Sequence, residues 1–319
     1  MSDNPLLKKA VIPGKRFRLP SRGLFYTNGE LDDSVHDGEV EVFSMATVDE
    51  ITLRTPEFLF TGEAIEKVFN RCIPEIKQPL KLLSQDVDYL LTCLRIVSYG
   101  DILPINTRCS VCETNQKAQN ERDIESFLAE VKIKAEEQKI DFDIAVQTEQ
   151  VQERLHSLQT KNIPKQTHNI DIGGVLTNKT REIEDDDFKL YDFNLTNGQH
   201  VHMTPLRLDS AVLAYKFQND DFTENLDKVE EYITFLLASR VLKVVDDGKE
   251  VIDPEHITEW VRVLAVKYKN ELNDHASKIP IWGTNFDYNI SCDKCGDVKN
   301  VDTLLNPINI FMTPSELEE

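Results

Sequence analysis

The sequence predicts an α+β protein with a mainly helical body, small antiparallel sheets and a four-cysteine zinc ribbon that joins distant chain segments. Three observations predict this class. Apolar residues recur at helical spacing over long stretches, short stretches alternate between apolar and polar residues, and four cysteines form two Cys-x-x-Cys pairs. With 319 residues, the chain can bury a substantial core and form two or three folding units.

Two cysteine pairs form the most informative pattern in the sequence. Their members are Cys109, Cys112, Cys292 and Cys295. A Cys-x-x-Cys turn directs two thiolates at one point, and two such turns complete a tetrahedral sulfur site that suits Zn²⁺. Gly296 can adopt the positive φ that lets backbone amides face the sulfurs. Because protein atoms would fill all four ligand positions, the sequence predicts one structural zinc ion.

Two other interpretations of the cysteines remain open: two unrelated reduced thiol pairs, or a redox-active Cys-x-x-Cys. A redox pair needs a helix N-terminus to lower its thiol pKa, and neither pair is predicted to open a helix. The remaining cysteines, Cys72 and Cys93, lie in apolar patterns typical of core residues. Together these features indicate a reducing compartment.

Charge and hydropathy restrict the classes of partner. The formal net charge is −20, which opposes binding to a nucleic-acid backbone, and a zinc ion held by four thiolates would not reverse that sign. No run of residues reaches the length of a membrane span, and residues 1–4 lack the pattern of a secretory signal. We therefore expect neither nucleic acid nor membrane as a partner. The sequence is silent on oligomeric state.

The start of the chain predicts an N-terminal arm over 1–16 and a helical domain over 17–101. Alternation of apolar and polar residues predicts a strand over 39–43. Thr47, with Glu50 three residues later, matches a capping box and predicts that a helix begins there.

Three further helix signals follow in the same domain. A threonine before Pro56 predicts a helix start, and apolar residues at helical spacing predict helices over 62–73 and 84–98. Ser84 is the predicted N-cap of the last helix, and Gly100 is its predicted end.

The sequence predicts that 102–118 and 286–303 together form the zinc ribbon. It predicts a polar helical insertion over 119–187. The weak apolar stripe of the insertion fits either a projecting hairpin or a solvated surface helix. Gly173 and Gly174 mark a predicted loop.

The remainder predicts a hairpin and helical domain over 188–285 and a C-terminal tail over 304–319. Residues from Phe188 onward alternate toward the turn signal Asn197-Gly198, which predicts a hairpin. Apolar spacing then predicts helices over 209–217, 226–243 and 254–275, the last beginning at Asp253-Pro254.

The sequence contains no P-loop, dinucleotide fingerprint, nucleophile elbow or His-Glu-x-x-His motif, so we predict that the protein is not an enzyme. His200 and His202 share one face of the predicted strand, as metal ligands sometimes do, but no third ligand is evident nearby. A metal-dependent hydrolase that uses these histidines is a less favoured alternative.

The N-terminal stretch is locally basic and carries Phe17, Phe25 and Tyr26 around a proline and a glycine. Its basic residues form either a solvated tail or a peptide that docks on an acidic neighbour. Its apolar segment 19–26 either lies in a groove of a partner or packs Phe25 and Tyr26 on its own helical domain.

Several strings, taken in order, resemble the baseplate-hub proteins of T-even-type contractile-tailed bacteriophages. They are LPSRGLFY at 19–26, EVFSMATVDE at 41–50, LRTP at 53–56, LRIVSYG at 94–100, FDY at 286–288 and CDKCG at 292–296. The resemblance is dense over 17–113, thinner over 188–312 and does not extend over 114–187.

This resemblance implies a non-enzymatic structural or assembly component of the tail baseplate hub, made in the host cytoplasm. The neighbours it implies are other hub subunits, the central spike and the tape-measure protein. The alternative from another class is a zinc-ribbon nucleic-acid-binding or transcription accessory protein, which the net charge of −20 opposes.

Overall fold

A computed structural model of the chain describes residues 12–55, 61–219, 226–301 and 311. The chain divides into two compact units, and neither is continuous in sequence. The larger unit comprises the described residues of Met1–Leu103, Asp171–Phe286 and Thr303–Glu319, and the smaller unit comprises those of Pro104–Ile170 and Asp287–Asp302. Within the described ranges, no helix is both long enough and apolar enough to cross a membrane.

Several predicted segments lie partly outside the described residues. These are the arm as far as residue 11, the helix start at Pro56, the ribbon at 302–303, and the tail at 304–310 and 312–319.

About half of the described chain is helical, as the sequence predicts. In chain order the described helices are α1 (Thr47–Leu53), α2 (Glu63–Cys72), α3 (Ser84–Tyr99), α4 (Ser110–Gln138), α5 (Phe142–Val146), α6 (Glu149–Gln159), α7 (Ile172–Lys179), α8 (Asp185–Lys189), α9 (Leu208–Asn219), α10 (Leu226–Ala238), α11 (Pro254–Val263) and α12 (Val266–Ala276).

The described strands form small sheets. They are β1 (Lys15–Arg18), β2 (Glu39–Val42), β3 (Ile102–Thr107), β4 (Gln166–Asp171), β5 (Thr180–Arg181), β6 (Asp192–Asn194), β7 (His200–Met203), β8 (Val241–Asp246), β9 (Lys249–Val251), β10 (Gly283–Thr284), β11 (Asn289–Ser291) and β12 (Val298–Asn300). Strands β6 to β9 make a four-stranded antiparallel sheet in chain order, and the other sheets are two-stranded pairs. The predicted α+β class is confirmed.

Helix caps in the larger unit differ in part from the prediction. Helix α1 begins at Thr47 as predicted, but its N-cap is Ala46, whose N–H donates to the Asp49 carboxylate at 2.8 Å. Ser84 lies inside the first turn of α3, because its backbone N–H is held by the Leu206 carbonyl at 2.9 Å. Gly100 ends α3 with φ 88°, as predicted.

Two predicted helices are shorter than the sequence suggests. The helix predicted over 226–243 ends at Ala238, and residues 241–246 form strand β8. The apolar spacing over 241–246 fits either a helix or a strand. Pairing with β7 makes this stretch a strand, in which Val241 and Val244 are buried. The helix over 254–275 is two helices, α11 and α12, because the chain turns at the buried Leu264.

Two loop or strand predictions are wrong because nearby side chains nucleate short helices. Phe188 belongs to α8, whose first turn is acidic and whose Asp187 is buried and paired with Arg181 at 2.6 Å. Gly173 and Gly174 lie in α7, where the Asp171 carboxylate accepts the N–H of Gly174 at 2.8 Å. The hairpin predicted at Asn197-Gly198 is confirmed, with β6 paired to β7.

The N-terminal aromatic residues pack inside the larger unit. Phe25 is buried and contacts the rings of Phe188, Tyr191 and Trp282, with centroid distances of 5.0, 4.8 and 6.1 Å. The Tyr26 hydroxyl donates to the buried Asp86 at 2.6 Å. Of the two interpretations of this stretch, packing is correct for Phe25 and Tyr26, and they are not a free partner contact.

The basic residues of the same stretch pair with acids of their own unit. Arg18 contacts Asp37 and lies 3.3 Å from Glu182, and Arg22 lies 2.7 Å from Asp185. For these two arginines the acidic neighbour belongs to this chain, while the arm as far as residue 11 lies outside the described residues.

In the smaller unit, α4 packs against α5 and α6 as a helical hairpin. Helix α4 begins at Ser110, nine residues before the predicted polar helical insertion over 119–187. Val131, Ala135 and Leu158 are buried between the helices, and Asn120 donates to the Lys161 carbonyl at 2.8 Å. These few contacts bury little apolar surface for so long a helix.

Candidate metal centre

The first cysteine pair opens the longest helix of the smaller unit. Cys109 is the N-cap of α4, with extended backbone angles, and its carbonyl accepts the N–H of Glu113 at 2.9 Å. Cys112 follows in the first helical turn, so both side chains lie at the helix N-terminus. This corrects the expectation that neither pair opens a helix.

The second cysteine pair lies in the turn between β11 and β12. The turn is closed by two backbone hydrogen bonds of 2.8 Å, from Gly296 N–H to the Cys292 carbonyl and from Cys292 N–H to the Asp297 carbonyl. Gly296 has φ 74°, a conformation that disfavours residues with a Cβ, as the sequence predicts. The turn therefore holds Cys292 and Cys295 on a short, rigid hairpin.

The four sulfur atoms lie together. Cys109 Sγ is 3.5 Å from Cys295 Sγ, and Cys112 Sγ is 3.8 Å from Cys292 Sγ. All four sulfurs lie within 4.8 Å of one another. Four thiolates at zinc–sulfur distances of about 2.3 Å would be separated by about 3.7 Å in a tetrahedron. The structure thus brings together all four residues of the predicted site, and their arrangement suits a metal ion.

The thiols of the cluster differ in their ionisation. The N–H groups of Cys295 and Lys294 face the sulfur of Cys292 and lower the pKa of that thiol to about 6. In contrast, hydrogen bonding to Cys295, followed by burial and the other thiols, raises the pKa of Cys112 to about 12. A negative charge on one thiolate therefore makes it harder to remove the proton from a neighbouring thiol. A bound cation would remove this conflict, because its charge stabilises all four thiolates.

The redox interpretation requires a helix N-terminus that lowers a thiol pKa. The first pair has the helix, but the pKa of Cys112 is raised, so the local environment opposes a reactive thiolate there. Cys72 and Cys93 are buried, as predicted, and burial raises the pKa of the Cys72 thiol to about 12. All six cysteines are free thiols.

The surroundings of the sulfurs leave little space. Cys112 and Cys292 are buried with Ile163, while Cys109 is half-buried and Cys295 is exposed. The adjoining cavity, which Cys109, Cys292 and Ile290 help to line, has a volume of about 20 Å³. A space of that size holds a water molecule and no larger substrate. The four sulfurs are thus close enough together to hold one metal ion.

The two histidines of the predicted strand have a neighbour that sequence reasoning missed. Asp192 on β6 pairs directly with His202 on β7, and the carboxylate and both imidazoles lie within 4.8 Å of one another. The signal was present in the sequence, because Asp192 lies on the same hairpin as His200 and His202. The expectation that no third ligand lies nearby is wrong.

Comparison with protein families finds one match. The profile of a family described as "T4 bacteriophage base plate protein" matches residues 47–312. The matched stretch includes both cysteine pairs and the described parts of both units between these limits. Searches of curated proteins and of solved structures found no match to this chain.

Proposed function

This chain belongs to the family of T4 bacteriophage base plate proteins, and from that premise we propose that it is a structural or assembly component of the baseplate hub. The family match carries the proposal, because it extends over residues 47–312 and includes all four clustered cysteines. A baseplate protein works by contacting other baseplate proteins, and its place is the tail baseplate of the virion. The ordered resemblance between 19 and 296 to hub proteins supports the finer assignment to the hub.

For the cysteine cluster we propose one structural Zn²⁺ bound by Cys109, Cys112, Cys292 and Cys295. The sulfur–sulfur distances of 3.5 and 3.8 Å support this assignment, since both are close to the edge of a zinc–thiolate tetrahedron. Four thiolates suit Zn²⁺ better than the hard cations that prefer oxygen. With every ligand position taken by protein, the ion would supply charge neutralisation and cross-linking.

The role of the ion follows from the position of its ligands in the chain. Cys109 and Cys295 are separated by 186 positions, yet their sulfurs are 3.5 Å apart. Zinc binding would therefore join the predicted ribbon segments, 102–118 and 286–303, at the base of a long insertion. Because an all-cysteine site does not form in an unfolded chain, the free energy of metal binding becomes free energy of folding.

We further propose that the protein works through protein contacts without catalysing a reaction. The expected neighbours are other hub subunits, the central spike and the tape-measure protein, met during assembly in the host cytoplasm. The net charge of −20 supports protein partners over nucleic acid. A mobility shift on DNA that weakens as salt is added would instead favour the nucleic-acid alternative.

The hub assignment is tested in infected cells with a tagged copy of the chain. Assembly intermediates and complete tails are purified separately, cross-linked and analysed by mass spectrometry. We expect the chain in complexes that contain the central spike but lack the outer baseplate proteins, with cross-links to hub subunits. Cross-links confined to outer baseplate proteins would exclude the hub and leave only the family assignment.

A matched pair of phage variants tests whether the zinc site serves assembly. Cys295→Ser removes a proposed ligand, and Cys93→Ala removes a thiol that is buried in α3, outside the cluster. We expect Cys295→Ser to lower the yield of complete tails and Cys93→Ala to leave the yield close to that of the unaltered phage. Equal yields for the two variants would contradict a structural role for the site.

A further inference from the structure

The four-stranded sheet of the larger unit has one apolar and one polar face. Val201, Met203 and Val244 are buried in the main core, which fixes the orientation of β7 and β8. Because side chains alternate along a strand, His200 and His202 must lie on the opposite face. Asp192 pairs with His202 and shares that face.

The three side chains on this polar face converge. His202 Nδ1 contacts Asp192 Oδ1, and His200 Nε2 is 3.9 Å from the same oxygen. The two imidazole rings meet edge to face with centroids 4.5 Å apart. One carboxylate oxygen and two ring nitrogens thus surround a common point, with spacing suited to one metal ion.

A fourth residue orients one of the imidazoles. His200 Nδ1 is 2.9 Å from Asn194 Oδ1, an oxygen that can only accept a hydrogen bond. His200 Nδ1 therefore donates its proton to Asn194, and Nε2 is the ring nitrogen that faces Asp192. Metal-binding histidines are commonly held in this way, with one ring N–H donated to an oxygen and the other nitrogen bound to the metal.

The local charge is compatible with a cation. Lys243 is the cross-strand neighbour of His202 on β8, and its ammonium group lies 2.8 Å from Glu250 on β9. This ion pair offsets the positive charge beside the histidines. The side chains of His202, His200 and Asp192 are 24, 35 and 44% exposed, so an ion can reach them from solvent.

We propose that Asp192, His200 and His202 bind one divalent transition-metal ion of the class that imidazole prefers, with Zn²⁺ as the representative ion. This site is separate from the cysteine cluster and joins β6 to β7. Three protein ligands leave at least one coordination position for water or for a side chain of another protein.

The proposal is tested by measuring zinc stoichiometry in the purified full-length protein. After the cysteine cluster is loaded, the protein is titrated with Zn²⁺ by calorimetry, and bound zinc is counted by elemental analysis after dialysis. We expect two ions per chain in the unaltered protein and one in His202→Asn. His256→Asn, which changes a histidine on α11 instead, serves as the matched control and should keep two.

Two further variants test how the site is built. Asn194→Ala removes the orienting oxygen and should weaken binding at this site by about tenfold, the loss typical of an outer-shell partner. Lys243→Gln removes the neighbouring cation and should strengthen binding. Cys295→Ser should lose the other ion while it keeps this one, which separates the two sites.

Three outcomes would overturn the proposal. One is a single zinc ion per chain in the unaltered protein, and another is a second ion that persists in both His200→Asn and His202→Asn. The third is unchanged second-site affinity in Asp192→Asn. Circular dichroism of each variant checks that the sheet remains folded, and Lys243→Gln tests the site even if a ligand variant unfolds.

Discussion

The larger unit and the smaller unit differ in the size of their buried apolar clusters. The larger unit buries a broad cluster of aromatic and aliphatic side chains, which includes Phe25 and Trp282. These side chains come from helices and from the four-stranded sheet. Around the sulfurs of the smaller unit, the buried cluster consists of Cys112, Ile163 and Cys292. The smaller unit nonetheless supports a helix of 29 residues.

The difference shows where the free energy of folding must come from. Apolar burial contributes about 25 cal/mol per Å² removed from water, which suffices for the larger unit, with its extensive core. In the smaller unit the cluster around the sulfurs is one isoleucine and two cysteines, whose thiols oppose one another's ionisation, and further buried side chains such as Val131 and Leu158 lie elsewhere in the unit. On the proposed function, zinc binding supplies the missing stabilisation of the smaller unit.

Zinc removal is the strongest test of this comparison. In the full-length chain, Cys295→Ser or a strong chelator should remove the ion from the cysteine cluster. Amide protection over 104–170 and 287–301 should then fall by an amount equivalent to several kcal/mol, because site formation is coupled to folding. Hydrogen exchange measured by mass spectrometry should show persistent protection in α3. Unchanged protection in the smaller unit after zinc loss would refute the comparison.

A core substitution should produce the opposite pattern. Phe69 on α2 is fully buried in the larger unit, and Phe69→Ala should cost about 3–5 kcal/mol through lost burial and cavity formation. Zinc content should stay unchanged. Ile133 on α4 is 57% exposed, so Ile133→Ala should shift stability by no more than about 0.5 kcal/mol. Denaturant unfolding measures the free energy of unfolding of both variants. Similar decreases for Phe69→Ala and Ile133→Ala would contradict the predicted difference.

One buried carboxyl group of the larger unit, that of Asp86, predicts a pH dependence of stability. Burial raises the pKa of Asp86 to about 6, above its value in an unfolded chain. The unfolded chain therefore releases this proton first as pH rises, so the contribution of Asp86 to stability is lost between about pH 4 and pH 6. The loss amounts to roughly 2–3 kcal/mol, from 1.36 kcal/mol per pKa unit.

Asp86→Asn tests this pH dependence, because an amide keeps the shape and an oxygen that can accept from Tyr26. The stability of the unaltered protein minus that of Asp86→Asn should decrease as pH rises from 4 to 6. Chemical denaturation at several pH values measures this difference. A difference that is constant with pH, or that increases, would show that Asp86 does not titrate as proposed.

The smallest predicted effect compares one turn in each unit. Gly296 and Gly248 have φ 74° and 77°, and a Cβ on either would meet no neighbouring atom within 4 Å. Each replacement by alanine should therefore cost about 1 kcal/mol from backbone strain alone. Only Gly296→Ala should also weaken zinc binding, since its turn holds Cys292 and Cys295. Competition with a zinc indicator measures this difference, and equal zinc affinity in the two variants would remove the proposed link between turn and metal.

Local signals in the sequence predicted local structure well. The Asn197-Gly198 turn, the Asp253 cap of α11 and the Gly100 end of α3 all lie where the sequence places them. Each depends on hydrogen bonds or backbone angles within a few residues. Such interactions are the same in most tertiary contexts, so the sequence alone identifies them.

Some errors occurred where a distant segment overrode the local pattern. Part of the segment predicted as a helix over 226–243 forms strand β8, because it pairs with β7, and the backbone N–H of Ser84 donates to the Leu206 carbonyl, so Ser84 is not the N-cap. Asp192 was missed as a possible ligand because the register of β6 against β7 depends on turn geometry that the motif alone does not specify.

The sequence by itself determined the fold class, the turn that holds Cys292 and Cys295 and most helix positions, because these depend on residue type and short-range spacing. Only the tertiary structure decided that sulfurs 186 positions apart lie 3.5 Å from each other, and that Phe25 is buried in the core. These outcomes depend on which surfaces the whole chain buries, a balance of many weak contacts that no short stretch of sequence contains.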